Sequence, residues 1–131
     1  MPYLLDADWV IHALAGHPQT TLTLRDVSVE GVAVGWITVG EVYEGACGWP
    51  NPQDHLAAFR RFLRPFPILN LNDAIMERFA NIRSFLRRRG EIIPDFDIIL
   101  GATALHHDLT VLTYNIRHLQ RIPNIRLYGA G

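Results

Sequence analysis

Residues 2–16 read Pro2-Tyr3-Leu4-Leu5-Asp6-Ala7-Asp8-Trp9-Val10-Ile11-His12-Ala13-Leu14-Ala15-Gly16. A short apolar run stops at an aspartate, and Trp9, Val10, Ala13 and Leu14 then recur at the spacing of a helix face until Gly16. The stretch is a strand, an acidic corner and a helix, in that order. The pattern returns downstream. Gly31 releases a second apolar run, Val32 to Ile37, after which Thr38 can cap a helix carrying Val42, Tyr43 and Ala46 on one face. Apolar strands without polar alternation are covered on both faces, the condition of a parallel sheet with helices above and below it.

The remaining segments extend the alternation. Residues 18 to 30 carry two signals: Pro18 suits a helix start, whereas Thr20, Thr21, Thr23, Val27 and Val29 are β-branched; the segment is read as helix. Asn51 can cap the next helix, with Pro52 at its first position and Leu56, Phe59 and Leu63 as its apolar stripe, and Pro65 and Pro67 end it. The run from Phe66 to Leu71 leads to the longest helix, capped by Asn72 or Asp73, with Ile75, Phe79, Ile82 and Leu86 on one face. Gly90 closes it behind Arg87, Arg88 and Arg89. Pro94 and Asp95 open a helix that is apolar on nearly every side from Phe96 to Leu105 and is therefore expected to be buried, with Asp97 the exception. A strand over Thr110 to Thr113, a turn containing Asn115 and a last strand near Ile125 to Leu127 complete the chain.

Composition bounds the function. The 131 residues, 49% hydrophobic and 19% charged, are those of a globular chain, and without internal repeats or a dividing linker residues 1–131 read as a single domain. All twelve cations are arginine and face thirteen acidic residues, so the net charge is −1 and no global positive field gathers nucleic acid; local patches must do so. One cysteine, Cys47, forms no internal disulfide, and a reducing, cytoplasmic setting is the expectation. No run approaches the ~20 apolar residues of a membrane span, and Asp6 stands where a signal peptide carries positive charge.

In open α/β sheets ligands gather outside the carboxyl ends of the strands. Asp6 follows the first strand, Glu41 lies one turn into the helix after the second, Asp97 stands in the first turn of the buried helix, and Asn115 follows the strand that ends at Thr113. Taken singly, each has a structural explanation. Asp6 can be a turn former, Asp8 is better read as a helix cap than as a ligand, and Glu41 and Asp97 can complement a helix dipole. Taken together, three carboxylates brought into one crevice repel one another unless a cation neutralises them. Such a set favours a hard divalent ion such as Mg²⁺ or Mn²⁺.

Four stretches carry a family resemblance: Leu4-Leu5-Asp6-Ala7-Asp8-Trp9-Val10-Ile11, Ile37-Thr38-Val39-Gly40-Glu41-Val42-Tyr43-Glu44-Gly45, Asp97-Ile98-Ile99-Leu100-Gly101-Ala102-Thr103-Ala104 and Leu112-Thr113-Tyr114-Asn115. In order and interval they resemble the four motifs of PIN-domain ribonucleases, and within these the VapC toxin group of toxin–antitoxin systems. The resemblance implies a three-layer α/β/α PIN-like domain with a central parallel sheet, and an acidic pocket that binds Mg²⁺ or Mn²⁺ to cleave RNA. Asp6, Glu41 and Asp97 match the family's three main acidic positions and are the expected metal ligands. Asn115 falls at a fourth position, often Asp and sometimes Asn, and Ala7 replaces a common Thr. The resemblance also implies a homodimer and a VapB-like antitoxin laid across the acidic groove.

The chemistry suits these residue types. RNA cleavage needs charge neutralisation and a hydroxide near neutral pH, which a bound metal supplies. Asp6 and Asp97 are assigned as ligands, Glu41 as a ligand or a proton acceptor, and Asn115 as a group that binds through water or positions the phosphate. Thr113 is a candidate for orienting a water or phosphate. Arg60, Arg61, Arg64, Arg87 to Arg89, Arg117 and Arg121 are candidate phosphate contacts, against the reading that they are solvated helix faces. Trp9 and Trp36 are expected to pack in the core and Trp49 to be exposed. Cys47 is read as a buried hydrophobe. A zinc site from His106, His107 and His118 is disfavoured for want of a cysteine nearby or an HExxH spacing, and no GxSxG, P-loop or GxGxxG motif is present. The alternative is a non-catalytic RNA- or partner-binding module on the same fold, motivated by the uncharged Asn115. A nuclease or phosphatase acting on DNA is a third reading.

Overall fold

In the computed structural model, residues 2–129 are described. The elements run β1 (Tyr3–Leu5), α1 (Ala7–Leu14), α2 (Pro18–Ser28), β2 (Val32–Gly35), α3 (Trp36–Cys47), α4 (Pro52–Leu63), β3 (Ile68–Leu69), α5 (Asp73–Arg88), α6 (Asp95–His107), β4 (Thr110–Leu112), α7 (Ile116–Leu119) and β5 (Arg126–Leu127). The five strands form one sheet in the order β3-β2-β1-β4-β5, and every pairing is parallel. The chain therefore builds outward from β1 on one side through β2 and β3, then returns to place β4 on the other side of β1. The reversal opens a crevice at the carboxyl ends of β1 and β4.

Strand alternation divides the interior in two. Leu4 and Ala33 face a core with Ile75, Ile82 and Leu86 of α5 and Ile98 and Ala102 of α6. Leu5, Val34 and Leu112 face the opposite one with Trp9 and Val10 of α1, Val42 of α3 and Phe59 and Leu63 of α4. Helices thus cover both faces, giving the expected three-layer α/β/α domain. The apolar stripes of α4 and α5 are spent in these two cores, one on each face of the sheet. Gly101 marks a close approach, because a Cβ built there would lie 2.5 Å from Ile122 Cδ1. Among the described residues no helix is long and apolar enough to cross a membrane.

Several boundaries move relative to the sequence reading. β2 stops at Gly35, and α3 begins at Trp36 from an extended Gly35 that offers no side-chain cap; Thr38 does not cap it but is buried in the first turn, its hydroxyl unpartnered. β3 is only two residues long because Pro65 and Pro67 remove backbone donors on its approach, although the Pro67 carbonyl still accepts the Val34 N–H at 3.0 Å. Residues 18–28 are helical, with Pro18 at the first position and the His17 ring accepting the Thr20 N–H. Thr20, Thr23, Leu24 and Val27 are the buried residues of that helix, so tertiary burial of one face overrides the β-branched composition.

Candidate active site

Asp6 stands where β1 becomes α1, in extended conformation as the N-cap of the helix. Its Oδ1 accepts the Ala7 N–H at 2.7 Å, and its Oδ2 accepts the Thr113 hydroxyl at 2.8 Å from just beyond β4. The strand order makes this possible, for the Asp6 N–H also donates to the Leu112 carbonyl at 3.0 Å and so locks the two strand ends together. Only 7% of Asp6 is exposed. Burial, with the Asp8 charge next in importance and Glu41 adding to it, pushes its pKa from 3.8 to about 7 against the two stabilising hydrogen bonds.

Asp8 joins the same group. It does not cap α1; Asp6 does. The Asp8 Oδ2 accepts the Tyr114 N–H at 3.0 Å and stands 3.4 Å from the Thr113 hydroxyl, while its Oδ1 is buried with no hydrogen-bond partner. Burial raises its pKa as well. The Thr113 hydroxyl carries one proton, which the shorter distance assigns to Asp6, and it accepts the Asn115 N–H at 2.9 Å. Thr113 therefore holds the Asp6 carboxylate and the turn after β4.

Glu41 and Asp97 close the crevice from α3 and α6. Glu41 is half-buried, and its pKa is raised by burial and then by the charges of Asp97, Asp8 and Glu44. It lines a shallow cleft of about 350 Å³ with Trp36, Gly40, Glu44 and Phe96. Asp97, in the first turn of α6, is held from α7: its Oδ2 accepts Asn115 Nδ2 at 2.9 Å and lies 3.1 Å from His118 Nδ1. Asn115 thus has a defined role, because its amide donates where a carboxylate would repel Asp97. The interactions of Asp6, Asp8, Glu41 and Asp97 with one another place all four in one field. Among the described residues no lysine or arginine pairs with any of them.

The donor set fits a hard divalent cation in charge and type, with an unpartnered buried carboxylate oxygen on Asp8 and Asp6 held near neutrality by its surroundings. It is not a closed cage. Among the described residues no three acidic, histidine or cysteine groups stand together at metal-holding distance.

Two residues that sequence reasoning set aside belong to the site. Asp8 was legible only as a second acid two positions after Asp6, and its partner, the Tyr114 backbone, lies far along the chain. His118 was weighed only for zinc with His106 and His107, which instead pack edge to face with each other at the far end of α6. Trp9 is buried and stacks on Tyr114 with ring centroids 5.3 Å apart, as expected of a core residue. Trp36 is not in the core: it is 52% exposed, with its Nε1 donating to Asn70 Oδ1, because the earlier start of α3 turns it outward. Trp49 is exposed as expected. Cys47 is exposed rather than buried, since it faces away from the core in the last turn of α3, where its neighbour Ala46 takes the buried side.

A family model for the PIN domain matches residues 3–125, and the chain belongs to that family. It is similar to the Ribonuclease VapC2 of Haemophilus influenzae, 29% identical over 126 residues that span 96% of each protein. It is also similar to the tRNA(fMet)-specific endonuclease VapC of Salmonella typhimurium, 24% identical over 97% of this chain and 96% of the relative. Among solved structures it superposes on a chain of VapBC2 from Rickettsia felis bound to a DNA fragment from their promoter, with a TM-score of 0.89 at 23% identity over 97% of both chains. It also superposes on a chain of FitAcB from Neisseria gonorrhoeae, with a TM-score of 0.79 at 26% identity over 95% of both.

Proposed function

We propose that residues 1–131 act as one domain, a Mg²⁺- or Mn²⁺-dependent endoribonuclease of the VapC type and the toxin of a toxin–antitoxin pair. The single observation that carries this reading is the convergence of Asp6, Asp8, Glu41 and Asp97 at the switch point of the sheet with no arginine paired to any of them among the described residues. The names of the similar proteins, Ribonuclease VapC2 and tRNA(fMet)-specific endonuclease VapC, support RNA as the substrate class. The neighbouring VapBC complexes support a VapB-like antitoxin as partner, and a homodimer is part of the same proposal.

Asp6 and Asp97 are the residues to hold the ion, with Asp8 or Glu41 adding a further oxygen. A bound divalent ion supplies charge neutralisation at the phosphate and a nucleophilic hydroxide near neutral pH. The chain's own part is positioning. Ala7 N–H and the Thr113 hydroxyl fix Asp6, and Asn115 fixes Asp97, so neither carboxylate has to be ordered when substrate arrives. Glu41, whose pKa is raised, can accept a proton from the attacking water. Asn115 orients Asp97 through its Nδ2 while its Oδ1 stays available to hold a water at the substrate.

Antitoxin-free protein incubated with structured RNAs and Mg²⁺ or Mn²⁺ should give discrete cuts that vanish in EDTA and in Asp6→Asn. Cleavage by metal-loaded Asp6→Asn at the wild-type rate would overturn the reading. RNA binding with no product at any metal concentration would favour the non-catalytic module, and equal cleavage of the matching DNA strand would remove RNA specificity.

A further inference from the structure

A spacious cleft lies away from the carboxylates. It lies at the β5 edge of the sheet, an open cleft of about 730 Å³ walled by Arg89, Arg121 and Arg126 with Gln120, Asn124 and Phe85; Glu91 is its acidic lining residue. Three guanidinium groups against two carboxylates, Glu91 in the lining and Asp108 on Arg126, leave it a locally cationic surface on a chain whose net charge is −1. Arg121 makes no ion pair or side-chain hydrogen bond among the described residues. Arg89 lies over the Phe85 ring at 5.3 Å with its Nε 3.5 Å from Glu91, and Arg126 pairs with Asp108 at 2.8 Å. Exposed pairs of this kind contribute little and can be exchanged for a better anion.

The cleft is tied to the acidic site by α7. Asn115, at the start of that helix, and His118, within it, face Asp97, while Gln120 and Arg121 at its other end enter the cleft. From the Asn115 cap through the four residues of α7 to the Gln120 cap, helical rise covers ~7.5 Å, the reach of about two stacked nucleotides at about 3.4 Å each. Arg117 is exposed on the intervening turn. Carboxylates repel a phosphate backbone, so a strand crossing them must draw its binding energy from cations outside the pocket. We propose that this cleft is a second contact site for single-stranded RNA, in which Arg121 and Arg126 take backbone phosphates a few nucleotides from the scissile bond. Its apolar walls receive the face of an unpaired base. The inference rests on the ribonuclease reading above.

The test is the affinity of wild-type protein, Arg121→Gln/Arg126→Gln and the control Arg25→Gln for a fluorescent 15-nucleotide single-stranded RNA. Fluorescence anisotropy is read in EDTA across a salt series, with thermal melts to verify folding and wild-type cleavage in Mg²⁺ run in parallel. The double variant should bind about tenfold more weakly, and its salt slope should fall by about 1.4, the equivalent of two lost phosphate contacts on a single strand. Arg25→Gln, on the distant exposed face of α2, should change neither. A folded double variant with wild-type affinity and slope overturns the second site while leaving the nuclease intact. Wild-type protein that neither binds nor cuts RNA overturns both. If the double variant loses affinity only for a purified acidic antitoxin peptide, the cleft is a protein site and the RNA assignment falls.

Discussion

Replacing Asp6 with asparagine should stabilise the metal-free protein, and by an amount that depends on pH. The buried Asp6 carboxyl has its pKa raised from 3.8 to about 7, so between these values the folded chain holds a proton that the unfolded chain has released. The folded state then binds more protons, and unfolding free energy falls as pH rises. The penalty is absent below about pH 4, grows through the interval and is complete above about pH 7. A rise of that size corresponds to about 4 kcal/mol. Asparagine removes the charge and keeps the Ala7 N–H bond through its carbonyl oxygen. Its amide must donate to the Thr113 hydroxyl, where the carboxylate accepted, and this rearrangement offsets about 1 kcal/mol. The net gain at pH 8 is about 3 kcal/mol, on the order of 10 °C in Tm for a chain of this length. Urea unfolding of both proteins in EDTA from pH 4 to pH 8 reads the difference directly. The variant should be slightly the less stable protein at pH 4, cross the wild type between about pH 4 and pH 5, and gain on it steadily up to about pH 7. Equal stability at pH 8, or a constant gap at every pH, would refute the placement of Asp6 as an uncompensated buried acid.

Other perturbations probe neighbouring parts of the structure. Thr113→Val removes the hydroxyl that Asp6 Oδ2 and the Asn115 N–H both use; it should cost about 2 kcal/mol above pH 7 and less near pH 4, and a pH-independent cost would contradict the hydrogen bond. Thr38→Val replaces a buried, unpartnered hydroxyl with an isosteric methyl and should raise stability by about 1 kcal/mol, whereas a loss in denaturant titrations would mean that the hydroxyl has a partner. Gly101→Ala brings a methyl against Ile122 and should destabilise by about 1–3 kcal/mol, with partial recovery in Gly101→Ala/Ile122→Val; no recovery would place the clash elsewhere.

How much of this was legible beforehand depends on the range of the interaction. Local patterning set the elements: the apolar runs at Leu4-Leu5 and Val32 to Val34, the caps and prolines at Asn72 and Pro52, and the stripe of Ile75, Ile82 and Leu86 all read as they fold. The same patterning, joined to the motif resemblance, named Asp6, Glu41, Asp97 and Asn115, because acidic residues at strand ends and first helical turns can be seen from neighbouring residues alone. Boundaries that turn on a single capping choice, such as Trp36 against Thr38, were less legible. Gly35 can adopt the extended cap geometry without advertising it.

Tertiary structure decided what those residues touch. The order β3-β2-β1-β4-β5 brings Thr113 and Tyr114 onto Asp6 and Asp8, contacts that span more than a hundred residues and leave no periodic trace in the chain. It enlists Asp8 and His118, and turns Trp36 and Cys47 outward. A helical period specifies which side chains share a face, but burial of its ends depends on what packs against them, and that is a property of the assembled layers. The sequence by itself determined an α/β domain with an acidic crevice. Only the folded sheet, by placing two distant strand ends side by side, decided which groups orient those acids and left them without an arginine partner among the described residues.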